Sequence, residues 1–156
     1  KGDIPENIVI PVGNGTLLLG AYYGFREMFD MGWIDSIPRL IAVQAEGCAP
    51  LFKAFRDDQS LVGPVVNTGT QAEGIAIADP MRGKQILEAI KETKGIIITA
   101  PECEIAPTRA MMAKKGFYVE PTTAATFAGY FNYAKENEIQ GKVLLPLCGA
   151  GLKSDK

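Results

Sequence analysis

Residues 8–25 read IVIPVGNGTLLLGAYYGF, and this stretch joins a run of β-branched residues to a glycine-bounded tetrad and then to a nearly uncharged segment. The pattern predicts a strand over residues 8–12 and a helix with apolar residues at helical spacing over residues 18–29, ended by Gly32. A strand that leads through a tight turn into a helix is the repeating unit of α/β proteins.

The rest of the chain alternates in the same way between strand-sized apolar runs and amphipathic helices. Further strands are predicted over residues 39–44, 96–99 and 142–147, and helices over residues 50–55, 82–93, 101–116 and 122–137. Residues 57–71 are polar and broken by glycine and proline, which is typical of a loop. We therefore expect an α/β protein with a mostly parallel sheet covered by helices, which forms one domain or a piece of a larger one. An incomplete sheet would leave strand edges and apolar patches for further chain or a second copy.

Composition excludes several classes of function. The 156 residues carry 16 basic and 18 acidic side chains and no basic cluster, so we expect no nucleic-acid partner. The longest apolar runs have the length of strands, so no membrane span is expected. The absence of histidine removes Ser-His and Cys-His nucleophile pairs and the usual zinc sites. Three cysteines without disulfide spacing indicate reduced thiols and a cytoplasmic protein.

The tetrad Gly13-Asn14-Gly15-Thr16 has the features of an anion site. Unpaired backbone N-H groups converge where a strand enters a helix, and the helix dipole adds positive potential. Glycine permits positive φ angles, and the Thr16 hydroxyl adds a donor, so the turn could hold a phosphate dianion. The alternative is an ordinary turn in which the glycines only relieve steric strain. A dinucleotide-binding GxGxxG motif is excluded because residue 18 is leucine, and no Walker A motif is present.

Five motifs in order make the chain resemble a known family. The motifs are PVGNGTLLLGAYYGF, AVQAEGCAP, AEGIAIADPMRG, FYVEPTTAATFAGY and LPLCGAGLKS, and the resemblance covers residues 8–154. The chain resembles the C-terminal part of the threonine synthases, which are fold-type II pyridoxal phosphate (PLP) enzymes. The resemblance implies a tryptophan synthase β-subunit-like fold with pyridoxal 5'-phosphate as cofactor. In this chain it implies a three-layer α/β/α architecture with a partial doubly wound, mostly parallel sheet, which forms a single partial domain over residues 1–156.

The resemblance implies roles for five residues in two motifs. The family's glycine-rich loop binds the PLP phosphate, which assigns that role to Gly13, Asn14, Gly15 and Thr16. A small hydrogen-bonding residue faces the pyridine nitrogen in the family, and the matching position is Cys148. The alternative for Cys148 is a small buried residue that ends a strand.

Other matched positions carry further expectations. Gly74 matches a stretch that passes over one face of the cofactor ring, where a larger side chain would collide. Glu120 lies near the cofactor in relatives, and its alternative role is a charge at the start of a helix. Thr122 and Thr123 are expected to be helix-capping groups rather than substrate ligands.

Two departures from the family limit what the chain can do alone. The motif with the Schiff-base lysine and the loop that binds the substrate carboxylate are both absent, so no catalytic residue is assigned and the chain alone is expected to be inactive. Gln44 and Pro50 stand where some dehydratase relatives carry acidic metal ligands, so no metal site is expected.

The activity implied by the resemblance is the conversion of O-phosphohomoserine and water to threonine and phosphate. The expected partner is this small-molecule substrate, and we expect a homodimer. A PLP-dependent threonine or serine dehydratase shares the same scaffold motifs and remains an alternative, although GNGT and the GLK that follows Cys148 favour the synthase. A non-catalytic phosphate-binding or assembly module is a third hypothesis.

Overall fold

A computed structural model describes residues 3–153, so Ser154, the last residue of the matched motifs, lies outside it. Four parallel strands form one sheet in the order β3-β2-β1-β4. The strands are β1 (Asn7–Pro11), β2 (Arg39–Ala45), β3 (Ile96–Ala100) and β4 (Val143–Leu144). Within the described range, no helix combines the length and apolarity that a bilayer crossing requires.

Within residues 3–153, five α-helices cover the two faces of the sheet. They are α1 (Thr16–Asp30), α2 (Pro50–Arg56), α3 (Gly83–Glu92), α4 (Glu102–Lys114) and α5 (Pro121–Ala134). Successive residues of a strand point to opposite faces, so Ile8 and Ile10 pack with α1, α2 and α3, whereas Val9 packs with α4 and α5. The expected three-layer α/β/α architecture is confirmed, and the continuous apolar strands reflect burial on both faces.

Parallel pairing brings the carboxyl ends of the strands to one edge of the sheet. Pro11 at the end of β1 pairs with Val43 of β2, and Ala45 pairs with Ala100 at the end of β3. The turns that follow the strands therefore meet at this edge, which is where open α/β sheets bind their ligands. We call it the carboxyl edge.

Two helices end where the sequence predicted, each just before a glycine. Gly32 has φ 72° just after α1, and Gly116 has φ 89° just after α4. Glycine adopts this left-handed conformation without steric cost, so it releases the chain from a helix.

The last strand is shorter than predicted. We predicted pairing over residues 142–147, but β4 contains only Val143 and Leu144, which pair with Asn7 and Ile8 of β1. Pro146 has no N-H for a ladder hydrogen bond, and residues 145–149 leave the sheet for an irregular path. This departure frees the segment that contains Cys148 to reach a different part of the molecule.

The outer edge of β3 is bare within the described residues. A groove of about 350 Å³ runs along Ile96, Ile97, Ile98 and Thr99. Aromatic residues of α2 and α5 flank it, namely Phe52, Phe55 and Tyr133. β3 has none of the charges, prolines or bulges that protect natural edge strands, so it fits the expected strand edge of an incomplete sheet.

We predict that the 156-residue chain self-associates through this edge. Ile96→Lys should shift the protein towards monomer in sedimentation velocity at tens of micromolar, because a charged edge residue opposes strand pairing. Leu61→Lys is the matched control, since Leu61 is 68% exposed in a loop outside the groove. Equal self-association of both variants, with unchanged circular dichroism, would contradict this prediction.

Candidate functional site

The tetrad forms the turn between β1 and α1 at the carboxyl edge. The Val12 N-H donates to the Val43 carbonyl at 2.9 Å, and the chain then leaves the sheet. Gly13 and Gly15 are buried, whereas Asn14 and Thr16 are exposed. Gly15 is the N-cap of α1, with φ 81°. The turn therefore presents its two polar side chains and the start of the helix to the outside.

The N-terminus of α1 has the polarity that an anion requires. No side chain caps the helix, and its first turn contains no acidic residue. The first backbone N-H groups of a helix have no partner within the helix, and none between Gly15 and Leu18 finds one elsewhere among the described residues. These donors are therefore unpaired among the described residues, and the polarity of the turn suits an anion.

Gly15 is required by both its conformation and its packing. A Cβ atom here would stand 2.5 Å from Cδ1 of Ile86 in α3, and a side chain at φ 81° is strained. Further along, Tyr22 of α1 donates to the Glu92 carboxylate of α3, and Arg26 Nη1 lies 2.8 Å from the same oxygen. The hydrogen bond from Tyr22, supported by the Arg26 charge, lowers the pKa of Glu92. These contacts hold α1 against α3.

Gly74 lies between the tetrad and α5. A Cβ atom on Gly13 would be 3.4 Å from the Gly74 carbonyl oxygen, and one on Gly74 would be 2.8 Å from the Thr122 hydroxyl oxygen. The short 3-10 turn Glu73–Ile75 is therefore wedged between two elements of the site. A side chain at position 74 would therefore collide with Thr122 of the same chain. The sequence did not indicate this contact.

Glu120 and Cys148 come together through an antiparallel contact. The Glu120 N-H donates to the Gly149 carbonyl at 3.0 Å, and the Gly149 N-H donates to Thr123 Oγ1 at 3.3 Å. A Cβ atom on Gly149 would lie 2.3 Å from the Glu120 carboxyl carbon. Val119 and Ala150 form a bridge beside this contact. The segment after β4 is thereby held against the start of α5.

The Cys148 thiol is exposed and favours its protonated form. Burial of part of the group raises its pKa, and the negative charge of Glu120 raises the pKa further. A protonated thiol is a hydrogen-bond donor, and Cys148 Sγ lies 3.5 Å from the Pro146 carbonyl oxygen. The alternative of a buried residue ending a strand is wrong, because Cys148 is exposed and β4 ends four residues earlier, at Leu144.

The capping expectation for Thr122 and Thr123 is also wrong. Glu120 is the N-cap of α5, and no side chain makes a cap hydrogen bond there. The two threonine side chains are buried and turn towards Gly74 and Gly149 instead. Both threonines lie where segments that are distant in sequence meet, and the residue preferences of helix caps do not predict such contacts.

All three cysteines are free thiols, with Cys48 buried and Cys103 exposed. Burial raises the pKa of Cys48. Gln44, which we considered at a metal-ligand position of some relatives, is fully buried. Its amide accepts from the Phe52 N-H at 3.0 Å and lies 3.5 Å from the Val12 carbonyl oxygen.

The predicted site residues thus lie together at the carboxyl edge of the sheet. The chain also matches a known protein family. Residues 1–149 match the pyridoxal-phosphate dependent enzymes, and the chain belongs to this family, whose cofactor is pyridoxal phosphate. The curated relatives that it matches include threonine synthases. The one from Methanosarcina acetivorans is 36% identical over 127 residues, which are 81% of this chain and 31% of the relative. The one from Methanocaldococcus jannaschii is 31% identical over 153 residues, covering 96% of this chain and 38% of the relative.

Solved structures show the same fold. A fungal L-serine ammonia-lyase from Rhizomucor miehei superposes with a TM-score of 0.72 at 19% identity, covering 95% of this chain and 46% of the other. Maize serine racemase gives a TM-score of 0.73 at 16% identity, covering 94% of this chain and 43% of the racemase chain. The chain spans about a third of the length of the threonine synthases above. The fold-type II architecture expected from the sequence is confirmed.

We predict opposite effects of alanine at two glycines of α1. Gly15→Ala should lower the free energy of unfolding by at least about 1 kcal/mol, because it combines left-handed strain with the Ile86 contact. Gly24→Ala should raise it by about 0.5–1 kcal/mol, since alanine favours a helix interior. Apart from its chain neighbours and the nearby backbone of its own helix, no atom of the described residues lies within 4 Å of a Cβ placed at Gly24. Urea denaturation measures both, and a neutral Gly15→Ala would disprove the packing role.

We predict that Glu120 controls the titration of Cys148. Its charge raises the pKa of Cys148, so less reactive thiolate is present at a given pH than without it. Glu120→Gln should therefore move the pH midpoint of Cys148 alkylation downwards, as followed by mass spectrometry with iodoacetamide. The Cys103 rate serves as internal reference, and Glu73→Gln is the control for an exposed carboxylate. An unmoved midpoint would show that Glu120 does not act on the thiol.

Proposed function

We propose that the chain is the cofactor-holding, C-terminal part of a threonine synthase, which converts O-phosphohomoserine and water to threonine and phosphate. The observation that carries the proposal is the uncapped N-terminus of α1 at the same sheet edge as Cys148, in a chain whose curated relatives include threonine synthases. We take residues 1–156 as a single partial domain of a larger catalytic chain.

In this proposal the tetrad binds the phosphate of PLP. The N-H groups at the start of α1 donate to the phosphate oxygens, and the Thr16 hydroxyl and Asn14 amide add donors from the exposed side of the turn. Each charge-assisted hydrogen bond contributes roughly 1.5–3 kcal/mol, so several bonds hold a dianion without an arginine. The lack of an acidic residue in the first turn of α1 avoids repulsion.

We assign Cys148 to the pyridine nitrogen of the cofactor. A raised pKa keeps its thiol protonated, so the thiol donates a hydrogen bond to an unprotonated ring nitrogen. The negative charge of Glu120 helps to keep the Cys148 thiol protonated. Because Gly74 has no side chain, it leaves room for the cofactor ring. When bound, the cofactor supplies the electron sink for reactions at the substrate carbons.

Other parts of the reaction must come from outside this chain. No lysine here matches the family's Schiff-base position, so the 156 residues alone should not turn over. We expect the complete enzyme to be a cytoplasmic homodimer that takes a small phosphorylated amino acid as substrate.

The experiment that tests the proposal uses the complete protein that contains these residues. With O-phosphohomoserine it should release phosphate and threonine in equal amounts, as measured by a phosphate assay and amino-acid chromatography. Ammonia release from threonine as the sole activity would identify a dehydratase. A colourless protein that ignores added PLP would support a non-catalytic module.

A separate measurement tests whether the tetrad binds the phosphate of PLP. Asn14→Asp places a carboxylate beside the proposed phosphate, and we expect at least about a tenfold loss of PLP affinity in equilibrium dialysis. Asn67→Asp is the matched control, because Asn67 is an exposed loop residue whose Oδ1 accepts from the Gly69 N-H. Equal affinity of the two variants would place the phosphate elsewhere.

A further inference from the structure

Gln44 is a buried amide that no part of the proposed site uses so far. Its side chain is completely buried in β2, next to the strand that leads into the tetrad. Its Oε1 accepts from the Phe52 N-H at 3.0 Å, and its Nε2 donates to the Val12 carbonyl at a longer 3.5 Å. The side chain therefore joins two segments that both leave the carboxyl edge.

The two partners define the orientation of the Gln44 amide. A backbone N-H can only donate, so the group facing Phe52 must be the oxygen. A carbonyl can only accept, so the group facing Val12 must be the NH2. The orientation of this amide is therefore set by its hydrogen bonds, and glutamate could not satisfy both partners in its charged form.

At Phe52 the amide replaces a missing helix cap. Phe52 is the third residue of α2, and the N-cap residue Ala49 has no side chain able to cap it. The third N-H of a helix is one of those that an N-cap side chain normally accepts from. Gln44 supplies this acceptor from eight residues away. The start of α2 is thereby tied to β2.

At Val12 the amide acts on the first peptide of the tetrad. The Val12 carbonyl and the Gly13 N-H belong to one planar peptide group, and no cis peptide occurs among the described residues. In a trans peptide these two groups point in opposite directions. A donor that holds the carbonyl towards β2 therefore turns the Gly13 N-H away from β2. The hydrogen bond from the Val12 N-H to the Val43 carbonyl holds the preceding peptide group in place.

We propose that Gln44 is a positioning residue of the phosphate-binding turn. By holding the Val12 carbonyl, it directs the Gly13 N-H towards the bound phosphate, and it couples this turn to the start of α2. The inference rests on the proposed function, because the phosphate is that of PLP.

The test compares variants of the complete protein that contains these residues, labelled with 15N-glycine. Gln44→Met keeps the side-chain volume close to that of glutamine but removes both hydrogen bonds. We expect it to move the Gly13 amide resonance without ligand and to weaken PLP binding about tenfold or more, the effect of losing one hydrogen bond to a charged group. Thr93→Val is the control. Thr93 is buried at the end of α3, and its hydroxyl bonds within its own helix to Ala89.

A second variant separates positioning from a general loss of stability. In Gln44→Glu the buried carboxyl has a raised pKa, and only its protonated form can donate to Val12 while accepting from Phe52. PLP affinity relative to wild type should therefore recover as the pH falls, with the Gly13 resonance returning towards its wild-type position. The folded fraction of this variant, measured by circular dichroism at each pH, separates the two roles, because a purely structural role predicts that PLP affinity changes only where the folded fraction changes.

The outcomes distinguish the two proposals. If wild type binds PLP and Gln44→Met binds it equally well, the positioning role is overturned. If wild type binds neither PLP nor inorganic phosphate, the proposed function fails. The Gly13 resonance still decides the role of Gln44 in that case, because an unmoved resonance in Gln44→Met rejects it.

Discussion

The contact between Gly15 and Ile86 is the constraint on which the site depends. Gly15 turns the chain out of β1 with a left-handed backbone, and Ile86 of α3 occupies the space that any side chain at this position would need. Because α1 starts at this point, the contact fixes both the place and the direction of the helix. The Tyr22, Arg26 and Glu92 cluster then secures the same two helices further along.

The other half of the site is assembled from chain segments that meet without regular secondary structure. Residues 118–120 and 149–151 pair antiparallel at the carboxyl edge, and Glu120 and Gly149 approach each other too closely for a side chain at position 149. Thr122 touches Gly74, which in turn lies against Gly13. A chain of close glycine contacts thus links the start of α1 to the Cys148 segment.

Prediction from the sequence worked best where the signal is local. Hydrophobic periodicity located the first three strands and the α-helices α1 to α5 within a few residues, and Gly32 and Gly116 marked helix ends correctly. It failed for the final strand, where the apolar run VLLPL suggested pairing that Pro146 does not allow. It failed again at Thr122 and Thr123, whose position near a helix start suggested caps, whereas both side chains serve contacts with distant glycines.

The sequence alone determined the α/β class, the strand-turn-helix unit at the tetrad and the resemblance to PLP enzymes, because these depend on consecutive residues and their conformational preferences. Which polar groups meet at the carboxyl edge depends on how the whole chain folds. Gln44 reaches Val12 across 32 positions, and Gly149 reaches Thr123 across 26. Such pairs are set by how parallel strands align and how the chain crosses between them, and no local pattern encodes that alignment.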